Sequence, residues 1–257
     1  MIPNWTRNIL KYQSGNKLTT EQTKMVDEGK TWLENWLNKR KALLEENAMF
    51  DPESSGKRGD ELAKQQLNNL YQTNYENVPQ LESEGLYTPR TDSNENTISI
   101  KLWDPDVIVH EQTHALQPNP QVAATRQLME NTDYMSPEVK EFWRLLEEEP
   151  EEIPEDIRSF YTKYGKEYQH DPNELLAKRN AVLKRYGKDP TYKYTQSDLE
   201  NEEMTEALVD NDLDTFEDDF LLHFFNDVAS NNKSKSMANV VKQGGKINRF
   251  KNILKRK

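Results

Sequence analysis

The chain has no cysteine among its 257 residues, which excludes disulfides and every thiolate metal site. Any metal must then be held by imidazole and oxygen ligands. Histidine is nearly as scarce, with four in all, so the search for such ligands is short. No stretch approaches the roughly 18 consecutive apolar residues of a membrane span. The opening MIPNWTRNILKYQSGNK lacks the apolar core and small-residue cleavage pattern of a signal peptide. These absences predict a soluble, unexported protein in a reducing compartment, with no membrane partner.

What is present can fill a core. Apolar residues make up 34% of the chain, with five Trp, eleven Tyr and eight Phe, enough for one large domain or two small ones under a very polar surface. The 34 basic and 45 acidic side chains give a net charge of -11, which argues against broad nucleic-acid binding only where charge is evenly spread. Here it is segregated: twelve acids and no base lie between 196 and 227, and nine bases and no acid between 233 and 257. The reversal separates a body of about 190 residues from an acidic-then-basic extension over 191–257, and a change of periodicity after Pro79 divides that body into an N-terminal helical part over 1–78 and a core over 79–190. A solvated acidic helix with an unstructured basic tail is the ordinary reading of that extension; an element that docks on a partner or on nucleic acid is the sharper one. In the sharper reading Lys242, Lys246, Arg249, Lys251, Lys255, Arg256 and Lys257 form an assembly or nucleic-acid-binding tail. Ile247, Phe250, Ile253 and Leu254 offer instead a short amphipathic docking helix.

Periodicity predicts a mainly helical α+β fold. Thr19 or Thr20 caps a helix to about residue 46, with Met25, Trp32, Leu33, Trp36, Leu37 and Leu44 three or four apart. A second helix spans about 61–75. Residues 86–103 alternate at Ile98, Ile100 and Leu102 around a polar turn, which predicts a hairpin or small antiparallel sheet. Asp104 and Pro105 then start a helix that reaches Pro118. Further helices are expected over 120–131, 136–149 and 154–164, and the last core helix from Asp171 or Pro172 to Tyr186.

His110, Glu111 and His114 form H-E-Q-T-H on the helix that follows the strand. Residues four apart share a helix face, so both imidazoles can converge on one ion while Glu111 reaches a water beside them. Zinc lowers the pKa of such a water and polarises a carbonyl oxygen, and a glutamate can move the proton to a leaving nitrogen. The site calls for a third protein ligand, and the candidates are His170, Asp171, Glu174 and the more remote His223. Glu174 is favoured, because D-P-N-E-L-L-A-K-R puts it in the first turn of a helix, where a carboxylate is electrostatically comfortable. The same residues also spell a capping box in which Glu174 touches no metal. The strand 97–103 reads either as an ordinary edge or near-edge strand or as a backbone edge for an extended peptide. Tyr134, Tyr161, Tyr164, Tyr168 and His170 are the candidate oxyanion donors, and Asn131, Asp133 or Asp171 can support an imidazole.

A hairpin strand, then VIVHEQTHALQ, then a helix opening DPNELLAKRN about sixty residues later resembles the zincin metalloprotease fold, in its subclass with a glutamate as third ligand. The resemblance covers residues 86–186. It implies one Zn2+ per chain held by His110, His114 and Glu174, Glu111 as general base, Ala177 as the small neighbour one turn after the glutamate, and a peptide or protein substrate. The whole arrangement is also similar to zincin-like proteins of tailed bacteriophages, including the crAss-like group, some of which form virion rings between portal and tail. That second resemblance implies a homo-oligomeric ring with other virion proteins as partners, located in the infected bacterial cytoplasm and then in the virion. It also implies an alternative function, a structural ring or connector protein that keeps the fold without significant catalysis.

Overall fold

The computed structural model describes residues 18–91, 95–131, 134–135, 137–149, 151, 153, 170–188 and 192–226. The expected helix over 154–164, the tyrosines 161, 164 and 168, Asp133 and the basic tail lie outside the described residues. Among those described, a mixed α/β architecture emerges, predominantly helical with one small open sheet. No helix there is long and apolar enough to cross a membrane.

Helix α1 (Thr20–Lys39) starts at a closed capping box, in which Gln22 N–H donates to the Thr19 hydroxyl and Thr19 N–H to the Gln22 side chain. The expected single helix to about residue 46 is instead two. Arg40 leaves helical geometry at φ -114° and α2 (Lys41–Asn47) starts afresh. The guanidinium of this buried arginine lies over the Trp36 ring and donates from Nη1 to Asn226 O at 3.3 Å, so a tertiary contact takes the place of helix continuity. Leu33, Trp36, Leu37 and Leu44 are fully buried, as their spacing predicts.

Helix α3 (Gly59–Tyr71) ends earlier than expected. Residues 74–75 belong to a strand, β1 (Asn74–Asn77), which pairs parallel with β3 (Thr97–Ile100), while β2 (Gly85–Thr88) pairs antiparallel on the other side of β3. The predicted hairpin is therefore present, with Leu86 opposite Ser99 and Tyr87 opposite Ile98, but the sheet is mixed, in the order β1-β3-β2. Pairing with a distant strand outweighs the local helical period of the Leu70–Tyr75 stretch. One consequence corrects the reading of 97–103 as an edge: β3 is central, its backbone groups are taken on both sides, and β2 is at the edge.

Four residues after β3, Asp104 caps helix α4 (Pro105–His114) by accepting from Asp106 N–H at 2.8 Å. Helices α5 (Pro120–Asn131) and α6 (Pro137–Glu148) follow. Helix α7 (Pro172–Tyr186) is capped by Asp171, which accepts from Asn173 N–H at 2.8 Å, and ends at Gly187 in the left-handed region with φ +68°. It is not the last helix of the core. Short helices α8 (Gln196–Leu199), α9 (Glu202–Asp210) and α10 (Asp218–Asn226) pack Leu199, Met204, Leu208, Phe220 and Phe224 into the cluster that also holds Leu175, Leu176 and Val182. The acids of 196–219 lie exposed or half-buried around that apolar face, apart from Asp198, which is buried and accepts from Thr195 and Tyr192. A second cluster joins α1, α2 and α3 to the sheet and to Ile108 and Val109 of α4. Helices α4 and α7 make the most extensive helix pairing of the fold, and they carry the candidate ligands.

Candidate metal centre

The structure brings together His110 and His114 from α4 and Glu174 from the first turn of α7. The two Nε2 atoms face each other at 3.2 Å, Glu174 Oε2 is 3.4 Å from His110 Nε2, and Glu174 Oε1 is 3.4 Å from His114 Nε2. Donor atoms bonded at about 2.1 Å to one tetrahedral ion sit about 3.4 Å from each other; the nitrogen pair is close to that spacing, and the Glu174 carboxylate straddles the pair with one oxygen toward each imidazole. Two imidazoles and one carboxylate also suit zinc chemically, and a tetrahedron with three protein ligands leaves one position open. The three side chains are largely covered, at 15–18% exposure, which limits competition from bulk water.

Electrostatics favour ligand-ready protonation states. Burial, helped by the neighbouring His110, pushes His114 down from 6.5 to about 4, against the opposing carboxylates of Glu174 and Asp171. Its imidazole is therefore neutral at pH 7, with a lone pair to offer. Asp171 thus acts on His114 as a nearby charge as well as capping α7. Burial raises Glu111 from 4.5 to about 7; His110 opposes this, Glu174 adds to it, and the Tyr87 backbone N–H, which donates to the carboxylate, opposes it. A carboxylate poised near neutrality beside two imidazoles suits proton transfer in either direction.

Strand β2 meets α4 at the site. Gly85 and Tyr87, two apart, share one face of the strand. A Cβ at Gly85 would lie 2.6 Å from Glu111 Cγ and 2.8 Å from Oε1, so glycine makes room for the carboxylate. The Tyr87 ring lies nearly parallel to the His114 imidazole, with centroids 6.5 Å apart, and its hydroxyl donates to Asn96 Oδ1 at 3.2 Å. On the opposite side of α4, Gln112 Nε2 donates to Val26 O at 3.0 Å and to the Tyr75 hydroxyl at 3.2 Å, which ties the helix to α1 and β1. Gly29 gives that side chain its space, since a Cβ there would sit 2.3 Å from Gln112 Oε1.

The other expected ligands lie elsewhere. His170 is enclosed by the rings of Tyr134, Trp143 and Phe216 at centroid distances of 5.5, 5.7 and 6.0 Å, and is not part of the cluster. His223 is exposed on α10. Tyr134 packs on Phe216 and Phe220 as well as on His170. Sequence reasoning missed Gly85, Tyr87, Gln112 and Asn180. The signal for the polar pair was their place on apolar helix faces, where a buried amide must have a reason to be; for Gly85 it was a glycine opening a strand. No protein-family model, curated protein or solved structure matches the chain.

Proposed function

We propose that this protein is a zinc-dependent metallopeptidase of zincin type, with His110, His114 and Glu174 holding one ion per chain and Glu111 acting as general base. The observation that carries this reading is the convergence of two imidazole nitrogens 3.2 Å apart with a Glu174 carboxylate that places one oxygen 3.4 Å from each of them, beside a buried carboxylate one residue from the first histidine. When bound, zinc supplies a Lewis acid that acidifies water and polarises a carbonyl. Glu111 takes a proton from the attacking water and delivers it to the leaving amide nitrogen as the C–N bond breaks. The raised pKa of Glu111 fits both halves of that task. An extended peptide suits the site as substrate, because β2 lies at the sheet edge and two of its residues, Gly85 and Tyr87, adjoin Glu111 and His114.

The deciding experiment compares wild type with Glu111→Gln on a broad peptide library in the presence of zinc. Cleavage by wild type, abolished in Glu111→Gln with zinc content unchanged, is the expected result. Absence of metal-dependent cleavage by wild type at full zinc occupancy would remove the catalytic half of the proposal and leave the metal site standing.

A further inference from the structure

The three ligands come from two separate helices, so the site exists only while α7 keeps its axial register on α4. Polar contacts between the two helices fall at three positions along α7. Glu174 meets His110 and His114 at one end, and Arg185 Nη1 lies 3.8 Å from Asp106 Oδ2 at the other. Between them Asn180 Nδ2 donates to Thr113 Oγ1 at 3.2 Å. Thr113 is 2% exposed and Asn180 fully buried, whereas Asp106 and Arg185 are partly open to solvent. The middle contact is therefore the one protected from water.

Its polarity is defined. The Thr113 hydroxyl donates to Val109 O one turn back at 2.8 Å, so its oxygen is left to accept from Asn180. Val109 and Thr113 directly precede the two histidines, and Asn180 lies six residues beyond Glu174, about 9 Å along α7. A slide of α7 by about 2 Å would stretch this hydrogen bond past the roughly 3.5 Å at which it is lost, whereas apolar contacts between helices carry no such directional limit. The same slide would carry Glu174 away from the imidazoles.

Asn180 is also a poor choice for stability alone. Its Oδ1 is buried with no hydrogen-bond partner among the described residues, and a buried amide oxygen left so is destabilising. A leucine of similar shape would fill the space without that penalty.

We propose that Asn180 and Thr113 are positioning residues of the metal centre, their hydrogen bond setting the register that holds Glu174 against His110 and His114. This rests on the metal-site reading above. The test is zinc binding by the full chain, measured in competition with a chromophoric chelator, together with the melting temperature of the metal-free protein. Wild type should bind one zinc; Thr113→Val and Asn180→Leu should bind at least tenfold more weakly, while Thr113→Ser, which keeps the hydroxyl, stays within about twofold. Metal-free Asn180→Leu should melt at or above wild type, a separation of affinity from stability that a merely structural role does not give. Should Asn180→Leu fail to fold, the isosteric Thr113→Val carries the test. Wild-type affinity in both variants would overturn the positioning role and leave the site intact, whereas no zinc binding by wild type would overturn both. Affinity that falls only in step with melting temperature, Thr113→Ser included, would reduce the pair to packing.

Discussion

Gly85 and Glu111 occupy one space: the missing side chain of the strand residue is where the carboxylate of the helix residue lies, 2.6 Å from its Cγ to an ideal Cβ. Gly85→Ala should therefore displace the proposed base without touching a ligand. Turnover of a cleavable peptide should fall at least tenfold while zinc content stays at the wild-type level. Equal turnover in the two proteins would show that Glu111 has room to move and still act.

The raised pKa of Glu111 makes a prediction for the metal-free protein. Between pH 4.5 and 7 the folded state holds a proton that the unfolded state has lost, so this group's contribution is fully present below pH 4.5 and is lost as pH rises through 7. Glu111→Gln removes that loss. The variant should gain on wild type from pH 4.5 to 7 and level off at roughly 3 kcal/mol above pH 8, at about 1.4 kcal/mol per pH unit. Urea unfolding in the presence of a chelator across this range measures it; a difference that is flat with pH would contradict the prediction.

His114 titrates with the opposite sign. Its folded-state pKa is lowered from 6.5 to about 4, so the stability it contributes is present above pH 6.5 and lost as pH falls toward 4. His114→Gln should therefore flatten the acid limb of the metal-free stability curve between those values, and a limb of unchanged slope would assign the acid sensitivity to other groups.

Glu174→Ala should lower zinc affinity at least tenfold and leave the fold in place, since Asp171 accepts from the Asn173 N–H as the cap of α7. Metal analysis that finds full occupancy in this variant at limiting zinc would remove Glu174 from the ligand set.

Gly29→Ala places a methyl 2.3 Å from the Gln112 amide oxygen and should destabilise the protein by about 1–3 kcal/mol, as overpacking a tight interior does. Combining it with Gln112→Ala should make the two losses less than additive, which a double-mutant cycle in urea would read directly.

The site was legible where its chemistry is local. His110, Glu111 and His114 are set by spacing within one helix, and Asp171-Pro172 announces the helix start that carries Glu174. Whether Glu174 serves as cap or ligand was open in the sequence, because both roles use the same residue at the same helical position; its nearness to the two imidazoles comes from the packing of α4 on α7 and leaves no local trace. The strand β1 was not legible, since Leu70 to Tyr75 continues a helical period and a parallel partner 23 residues away leaves no local trace. The break at Arg40 and the role of Gly85 were hidden for the same reason: each depends on a contact with another element, Asn226 in one case and Glu111 in the other. The segregated charge was visible at once, but not that the apolar residues threaded through the acids would be buried in the core.

The central place of β3 has a consequence in entropy and time. Strand β3 and helix α4 form a nearly continuous stretch from 97 to 114, covered by β1 and β2 along the strand and by α1 and α7 along the helix. Amide hydrogens of such a stretch exchange late, because opening it requires much of the fold to open with it. Folding itself thus fixes the helix that carries the two imidazoles, so an ion bound at the proposed site would meet ligands that are already ordered.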